Sequence, residues 1–556
     1  MNALRYLITY AIIIVFSINC NKKSEDVVLP VAPDPFKLTA LTTEGIKNSD
    51  AYYNITSPVV KFTFSAPVSQ ASSNNSFFLN ESSGGAIAFN LSYENNDSTV
   101  LLQPTAPLKP STIFSVGVTP ALLSQKGGKL ISAKTIKLVT AIDSADKFPQ
   151  VSDDALMDII QRQTFKYFWD FGHPTSGLAR ERNTSGDMVT SGGSGFGIMA
   201  IVTAINRQFI TRTEGLTRLQ KITGFLKNKA QRFHGAFPHW LDGNTGKVIP
   251  FSAKDNGADL VETSYLMQGL LTARQYFDGT DIEETALRND INTLWNDVEW
   301  DWFRKNDENV LYWHWSPDYA WDMNQQVKGW NEALITYVLA ASSPAHSIPK
   351  SVYDDGWASN GGMKNGSSYY GVQLPLGPAN GGPLFFAHYS FLGINPIGLT
   401  DAYANYETQN KAHSLINYNY CKLNPKNFYG YSEQCWGVTA SDDNKSGYLA
   451  HEPNNDDGVI SPTAALSSMP YTPAESMKAL KFFYYKLGDK IFKEYGFTDA
   501  FSLHDAWFAD SFLAIDQGAI IVMIENHRSG LLWRLFMSCP EVKTGMRNLG
   551  FTSPNL

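Results

Sequence analysis

From Asp153 to about residue 540 the sequence keeps returning to one unit. Apolar residues recur at i, i+3 and i+4 spacing, and a long loop rich in Gly, Trp, Asn and His follows. Asp153-Asp154-Ala155-Leu156-Met157-Asp158-Ile159-Ile160 opens the series. Further helices are predicted near 194–208, 213–231, 259–277, 281–298, 331–341, 399–418, 461–469, 473–493 and 516–537. Each amphipathic helix has to bury its stripe against a neighbour. Helices in this number, with little strand signal between them, predict an all-α toroid over 153–540: an (α/α)6 barrel. On such a scaffold, chemistry is expected in the loops.

Residues 37–140 follow a different pattern. Val59-Val60-Lys61-Phe62-Thr63-Phe64 and Thr112-Ile113-Phe114-Ser115-Val116-Gly117-Val118 alternate with period two, and Ser/Asn/Gly clusters divide them. About seven such strands in roughly a hundred residues predict an all-β sandwich. Lys61 to Val68, and Leu102 to Pro110 followed by Thr112-Ile113-Phe114, resemble a bacterial Ig-like domain, a module that usually serves as a spacer. Residues 141–152 read as a linker and 541–556 as a C-terminal tail.

The first twenty residues indicate export. Arg5 supplies a positive start, and Tyr6 to Ile18 is an apolar run too short to favour a permanent span. It ends at Ser17-Ile18-Asn19-Cys20, which resembles a bacterial lipobox with Cys20 as the acylated residue. Residues 21–36 form a polar, then Pro-rich, tether. The expectation is an exported outer-membrane lipoprotein, periplasmic or surface-facing, held to the membrane by its N-terminal lipid.

A net charge of −8 offers no basic stripe for nucleic acid. The remaining cysteines, Cys421, Cys435 and Cys539, make no CxxC pair and no Cys/His cluster, so no structural zinc site is expected; no other metal and no cofactor is expected either. Cys421 and Cys435 enclose a short loop that a disulfide could close. Thirteen Trp and 26 Tyr exceed what cores alone need and suggest flat platforms for sugar faces.

Four helix starts set a carboxylate beside Gly or an aromatic residue. Asp259 and Glu262 have capping-box spacing, so Glu262 either returns a hydrogen bond to its own helix start or points into a cleft as a general acid. His451-Glu452-Pro453-Asn454-Asn455-Asp456-Asp457-Gly458 is a polar turn or the source of a general base, Asp457 or Asp456. In Gly329-Trp330-Asn331-Glu332, Asn331 is the expected N-cap; in Ile515-Asp516-Gln517-Gly518 it is Asp516. His239, Trp240, Trp313, Trp315, Trp330, His388 and Tyr389 are candidate sugar-contacting residues, with Arg182, Asp187, Glu332 and Asp516 as hydroxyl partners.

Thr164 to Trp169, Gly195-Phe196-Gly197, Asp259 to Thr263, Gly329 to Glu332 and Ile515 to Gly518 follow one another in an order that resembles the bacterial glycoamylase-like domain of glycoside hydrolase family 144. The resemblance implies an (α/α)6 barrel that hydrolyses β-1,2-glucan to sophorose or sophorooligosaccharides with inversion. It also implies Glu262 as the acid, partnered by Asp457 or Asp456. Ala179-Arg180-Glu181-Arg182 departs from the Asp-Arg pair expected there. Two rivals stay open from the residues alone: a polysaccharide lyase on the same toroid, using Tyr389, His388 and Arg182, and a non-catalytic glycan-binding lipoprotein.

Overall fold

A computed structural model describes residues 33–556 except 44, 45 and 48. The signal segment, Cys20 and the first part of the tether lie outside the described residues. Residues 38–140 form two facing sheets of nine strands: β1 (Leu38–Thr43), β2 (Ile46–Lys47), β3 (Ala51–Asn54), β4 (Val60–Phe64), β5 (Phe77–Glu81), β6 (Phe89–Glu94), β7 (Thr99–Pro104), β8 (Ile113–Val118) and β9 (Lys134–Thr140). One sheet runs β2-β1-β4-β7-β6 and the other β3-β9-β8-β5, with only β3 and β9 parallel. Val60, Phe62 and Phe64 turn inward while Lys61 and Thr63 stay at the surface, as period two requires. Phe62 pairs with Val100, and both pack with Leu41, Phe77, Phe114 and Leu138 in a self-contained core.

The linker does not hang free. The Lys147 N–H donates to the Tyr485 carbonyl at 2.7 Å, and the Phe148 ring stacks on Tyr484. From Asp153 the chain is helical: α1 (Asp153–Trp169), α2 (Ser191–Asn206), α3 (Arg212–Asn228), α4 (Leu260–Tyr276), α5 (Ile282–Asn296), α6 (Leu334–Ser342), α7 (Tyr406–Leu423), α8 (Pro462–Ser467), α9 (Pro473–Lys481), α10 (Leu487–Ile491), α11 (Ala514–Ser529), α12 (Leu531–Met537) and α13 (Pro540–Leu549). Two classes of helix show the barrel's layering. Helices α2, α4 and α6 are buried at nearly every position and line the inside; α3 and α5 bury a single face and form the outside. An inner helix, covered on all sides, has no need of a polar stripe.

Several predicted boundaries change, among them the helix expected at 399–418, which runs Tyr406–Leu423. The single helix expected at 516–537 is two, because Gly530 takes a left-handed φ of 65° and ends α11. The one expected at 473–493 is interrupted over 482–486, where the helical turn widens. Residues 541–556 are not a tail: α13 packs on α6, Phe551 is buried, and Thr552 pairs with Thr400. Cys421 and Cys435 are buried free thiols, so no disulfide joins them.

One close approach positions the site. A Cβ on Gly195 would stand 2.1 Å from the Tyr265 carbonyl oxygen, and one on Gly269 2.2 Å from that of Gly195. Only glycine at both places lets α2 and α4 touch backbone to backbone. Their N-terminal ends therefore open side by side at one mouth of the barrel.

Candidate active site

At that mouth lies a cleft of about 560 Å³. Its wall includes Glu181, Arg182, His239, Trp240, Glu262 and Tyr389, joined by Met188, Phe251, Tyr448 and Ile515. The strand residues Ala258-Asp259 pair with His314-Trp315, and the Leu260 N–H donates to the Trp313 carbonyl at 2.9 Å, which fixes the start of α4. Asp259 then caps the helix, its carboxylate accepting from the Glu262 N–H at 2.9 Å. Glu262 does not complete a capping box. Its side chain crosses instead to the start of α2, where Oε2 accepts from the Gly192 N–H at 2.9 Å and from the Thr190 hydroxyl at 3.4 Å. A Cβ on residue 192 would stand 2.4 Å from that oxygen, so glycine is needed there too.

Glu262 is 9% exposed. Burial drives its carboxyl above the usual range, against the His239 cation and the Gly192 and Thr190 hydrogen bonds, which pull it down; the buried Asp259 charge adds to the rise. A carboxyl whose pKa is raised by burial beside a substrate-sized cleft is suited to act as a general acid.

Beside Glu262 sits a cluster of histidines and carboxylates, in which Asp255, Asp259 and His314 are buried and His239 is partly exposed on the cleft wall. His239 Nδ1 lies 3.1 Å from Asp259 Oδ2, and His314 Nε2 is 3.4 Å from Asp255 and 3.6 Å from Asp259. Burial works against the His239 charge, but Glu262, Asp259 and Asp255 around it raise its pKa to about 9. Burial and the Asp259 charge bring Asp255 up to about 7. Burial also works to raise Asp259, but the His239 hydrogen bond and the His314 and His239 charges hold it below the usual range. His239, Asp255 and Asp259 offer ligand atoms within 4.8 Å of one another, a spacing a divalent cation would fit; the two imidazoles already give these carboxylates partners. Because the His239 cation holds the Glu262 pKa down, His239→Asn is expected to move the alkaline limb of kcat/KM to higher pH. A pH–rate profile of the variant against wild type checks the direction.

Elsewhere in the cleft wall, Arg182 donates to Glu181 at 3.1 Å and to Asp442 at 3.2 Å. Ser185 also donates to Glu181, at 2.9 Å. Glu181 and Glu262 are the carboxylates that border the cleft among the described residues. Asp442 lies on a hairpin, Ala440–Asp443 paired with Gly447–Ala450, that also carries Tyr448 into the wall. Beneath it, Asp499 and Asp516 form a buried carboxyl pair. Burial raises both; the Asp499 charge pushes Asp516 further up, while Asp499 reaches about 6 with the Asp516 hydrogen bond pulling it down and the Asp442 charge pushing it up, and the Asp442 N–H anchors Asp499 at 2.6 Å.

Of the residues expected at the site, Arg182, His239, Trp240, Glu262 and Tyr389 come together in this wall. Glu332 stands close enough to feel the charges of Glu262 and Asp259, and burial brings it to about 7. The others lie elsewhere. Asp456 accepts from the Tyr420 hydroxyl at 2.7 Å, the Tyr431 hydroxyl at 2.9 Å and the Gly458 N–H at 2.9 Å, and it does not border the cleft. Nor does Asp457, whose carbonyl accepts from Lys445. Neither aspartate is placed to activate water for a reaction at Glu262. Asp456→Ala would take the carboxylate partner from the buried Tyr420 hydroxyl and leave the Tyr431 hydroxyl only the Val459 carbonyl, and is expected to cost about 1–3 kcal/mol of stability while kcat holds. Urea unfolding with a parallel assay checks both halves.

His388 is 1% exposed, bonded to Ser468 at 3.0 Å and stacked with Tyr471; its burial brings its pKa down to about 3, which makes it a core histidine. Trp330 is 5% exposed and packs against Phe391 and Tyr406. Asp187 faces His173, and Trp315 joins Trp302 and His234 outside the cleft, while Trp313 holds α4 through its backbone. Asp516 is not an N-cap, since Leu513 holds that position. Likewise α6 begins at Leu334 behind Ala333, and Asn331 only accepts the Ala333 N–H. Sequence reasoning missed Glu181, Phe251, Tyr448 and Ile515. For Glu181 a signal existed, because the departure in the 179–182 segment falls on it.

Two family models match the chain: the bacterial Ig-like domain over 39–139, and the glycoamylase family, described as glucoamylases, over 324–540. The chain is 47% identical over 454 residues to the exo-β-1,2-glucooligosaccharide sophorohydrolase (non-reducing end) of Parabacteroides distasonis, covering 75% of this chain. It spans 62% of that curated relative's length. The structure of the endo-β-1,2-glucanase of Chitinophaga pinensis, bound to sophorotriose and glucose, is 54% identical with a TM-score of 0.72, over 73% of this chain and all of that one. A β-1,2-glucanase structure from Parabacteroides distasonis is 39% identical with a TM-score of 0.70, over 92% of this chain and 74% of that one. The chain belongs to the glycoamylase-like family, of the glycoside hydrolase family 144 type, and carries a bacterial Ig-like domain ahead of its helical barrel.

Proposed function

We propose that this protein hydrolyses β-1,2-glucan, releasing sophorose or longer sophorooligosaccharides by an inverting acid/base mechanism. The observation that carries the proposal is the buried Glu262, its carboxyl raised by burial, bordering a sugar-sized cleft that a second carboxylate, Glu181, also borders. Similarity to the sophorohydrolase and to both β-1,2-glucanases supports the linkage.

Phe251 packs on the rings of His239 and Trp240 and is half exposed, so it offers a sugar face at the rim. Arg182, Ser185 and Tyr448 supply hydroxyl contacts. Glu262 gives its proton to the leaving glycosidic oxygen, directly or through a sugar hydroxyl. Glu181 takes a proton from the water that attacks the anomeric carbon on the opposite face. The C1–O bond to the leaving sugar breaks, a C1–O bond to water forms, and the two carboxyls exchange their protonation states. Inverting pairs stand about 6.5–9.5 Å apart to admit that water.

A lyase would need a base beside a cation that neutralises a uronate. Arg182 is already ion-paired to Glu181 and Asp442, and His388 is buried away from the cleft, so hydrolysis is favoured. Purified protein offered β-1,2-, β-1,3-, β-1,4- and β-1,6-glucans tests the function. Reducing ends are expected from the β-1,2-glucan alone, with sophorose or longer oligomers as products. Turnover of another linkage, or binding with no reducing-end release, would defeat the proposal. The run of product lengths separates exo from endo action.

Acylation at Cys20 and an outer-membrane location are part of the proposal. They are supported by Arg5, the apolar run to Ile18 and the cysteine that follows it. Labelled fatty acid should enter the wild-type protein and not Cys20→Ser.

A further inference from the structure

The Ig-like module touches the barrel at a place that leads to the cleft. Lys137, on β9, pairs with Asp505 at 3.3 Å. The same carboxylate pairs with Lys445 at 3.1 Å, and Lys445 is the turn residue of the hairpin 440–450. Beside this junction the Tyr52 ring stacks on His504, with centroids 4.4 Å apart and planes 15° apart. The Asp505 side chain is only 14% exposed, so its two cations act in a partly desolvated setting, where ion pairs hold more firmly than at an open surface.

The hairpin needs an anchor of this kind. It is short, most of its residues after Asp443 are not buried, and its inward residues do the work: Asp442 holds Arg182, and Tyr448 forms cleft wall. Asp443 closes the turn by accepting the Lys445 and Ser446 N–H groups, and Lys445 also donates to the Asp457 carbonyl at 2.8 Å. A continuous line of contacts thus runs from β9 of the sandwich to Tyr448 of the cleft wall and to Asp442, which holds Arg182 of that wall.

We propose that the Ig-like module is a support of the substrate cleft: Lys137 and Tyr52 dock on His504 and Asp505, and Asp505 holds the hairpin that presents Tyr448 and Asp442. The module then sets affinity for the glucan chain, and the hydrolytic step at Glu262 stays independent of it. The kinetic part rests on the hydrolase reading above; the mechanical part does not.

The test uses the full chain carrying Tyr52→Ala with Lys137→Ala, compared with wild type and with Lys137→Arg alone. Hydrogen exchange of amides 441–450 should accelerate about fivefold or more in the double variant, while α2 and α4 exchange as in wild type. KM for β-1,2-gluco-oligosaccharides should rise about five- to tenfold with kcat changed less than about twofold. Lys137→Arg, which keeps the charge, should match wild type. Unchanged exchange in the hairpin overturns the proposal; so does acceleration spread over the whole barrel, or local acceleration with an unmoved KM. If wild type does not act on β-1,2-glucan, the hydrolase reading fails and the exchange result alone decides the role of the module.

Discussion

Glu262→Gln is expected to lower kcat on β-1,2-glucan by about 10²–10⁴-fold, the range lost when a positioned general acid is removed. KM should stay within about threefold, because the amide keeps the size of the side chain. Its carbonyl oxygen still accepts from the Gly192 N–H, so α2 and α4 stay in register and the fold survives. The effect is large because the environment is committed to one task. Burial raises the carboxyl, and the neighbouring His239 and Asp259 charges act on it in opposite directions. The measurement is steady-state reducing-end release, with circular dichroism to verify folding.

Glu181→Gln should cost about 10²-fold or more in kcat, since the attacking water loses its base. Arg182 makes this outcome specific. It donates to both Glu181 and Asp442, so neutralising Glu181 leaves the cation paired to Asp442 and the wall in place. A fall in kcat with little change in KM is therefore expected. A rise in KM alone would assign Glu181 to binding. External azide or formate offers a further check, because a small anion can enter the space that the water occupies and restore turnover to a variant lacking its base.

Much of the architecture could be read directly. Period-two alternation in 60–64 and 113–118 is a local property that survives folding, because each strand has one inward face. The onset at Asp153 is equally local, with Ser152 accepting the Ala155 N–H at the helix start. Glu262 was legible because the Asp259–Glu262 spacing placed a carboxyl at a helix N-terminus. Which way that carboxyl turned depended on Gly192, seventy residues earlier in the chain.

What the sequence hid was decided by partners far away. Asp456 reads as a loop carboxylate until Tyr420 and Tyr431 fold over it and take its oxygens. Trp330 and His388 read as loop aromatics until Phe391, Tyr406 and Tyr471 bury them. Asp442 and Tyr448 carry no motif at all. They enter the site only because a hairpin some 260 residues beyond Arg182 closes against it. The Ig-like module reads as a spacer for the same reason, since Lys137 meets Asp505 across 368 positions of sequence.

The most direct test of the central claim compares two substrates on Glu262→Gln and wild type. One is β-1,2-glucan, whose leaving sugar needs a proton. The other is an aryl β-sophoroside whose phenolate departs without one. If Glu262 is the general acid, the variant loses about 10²–10⁴-fold on the glucan and recovers most of the wild-type rate on the aryl sophoroside. Equal losses on both substrates, or no loss on the glucan, would contradict that role.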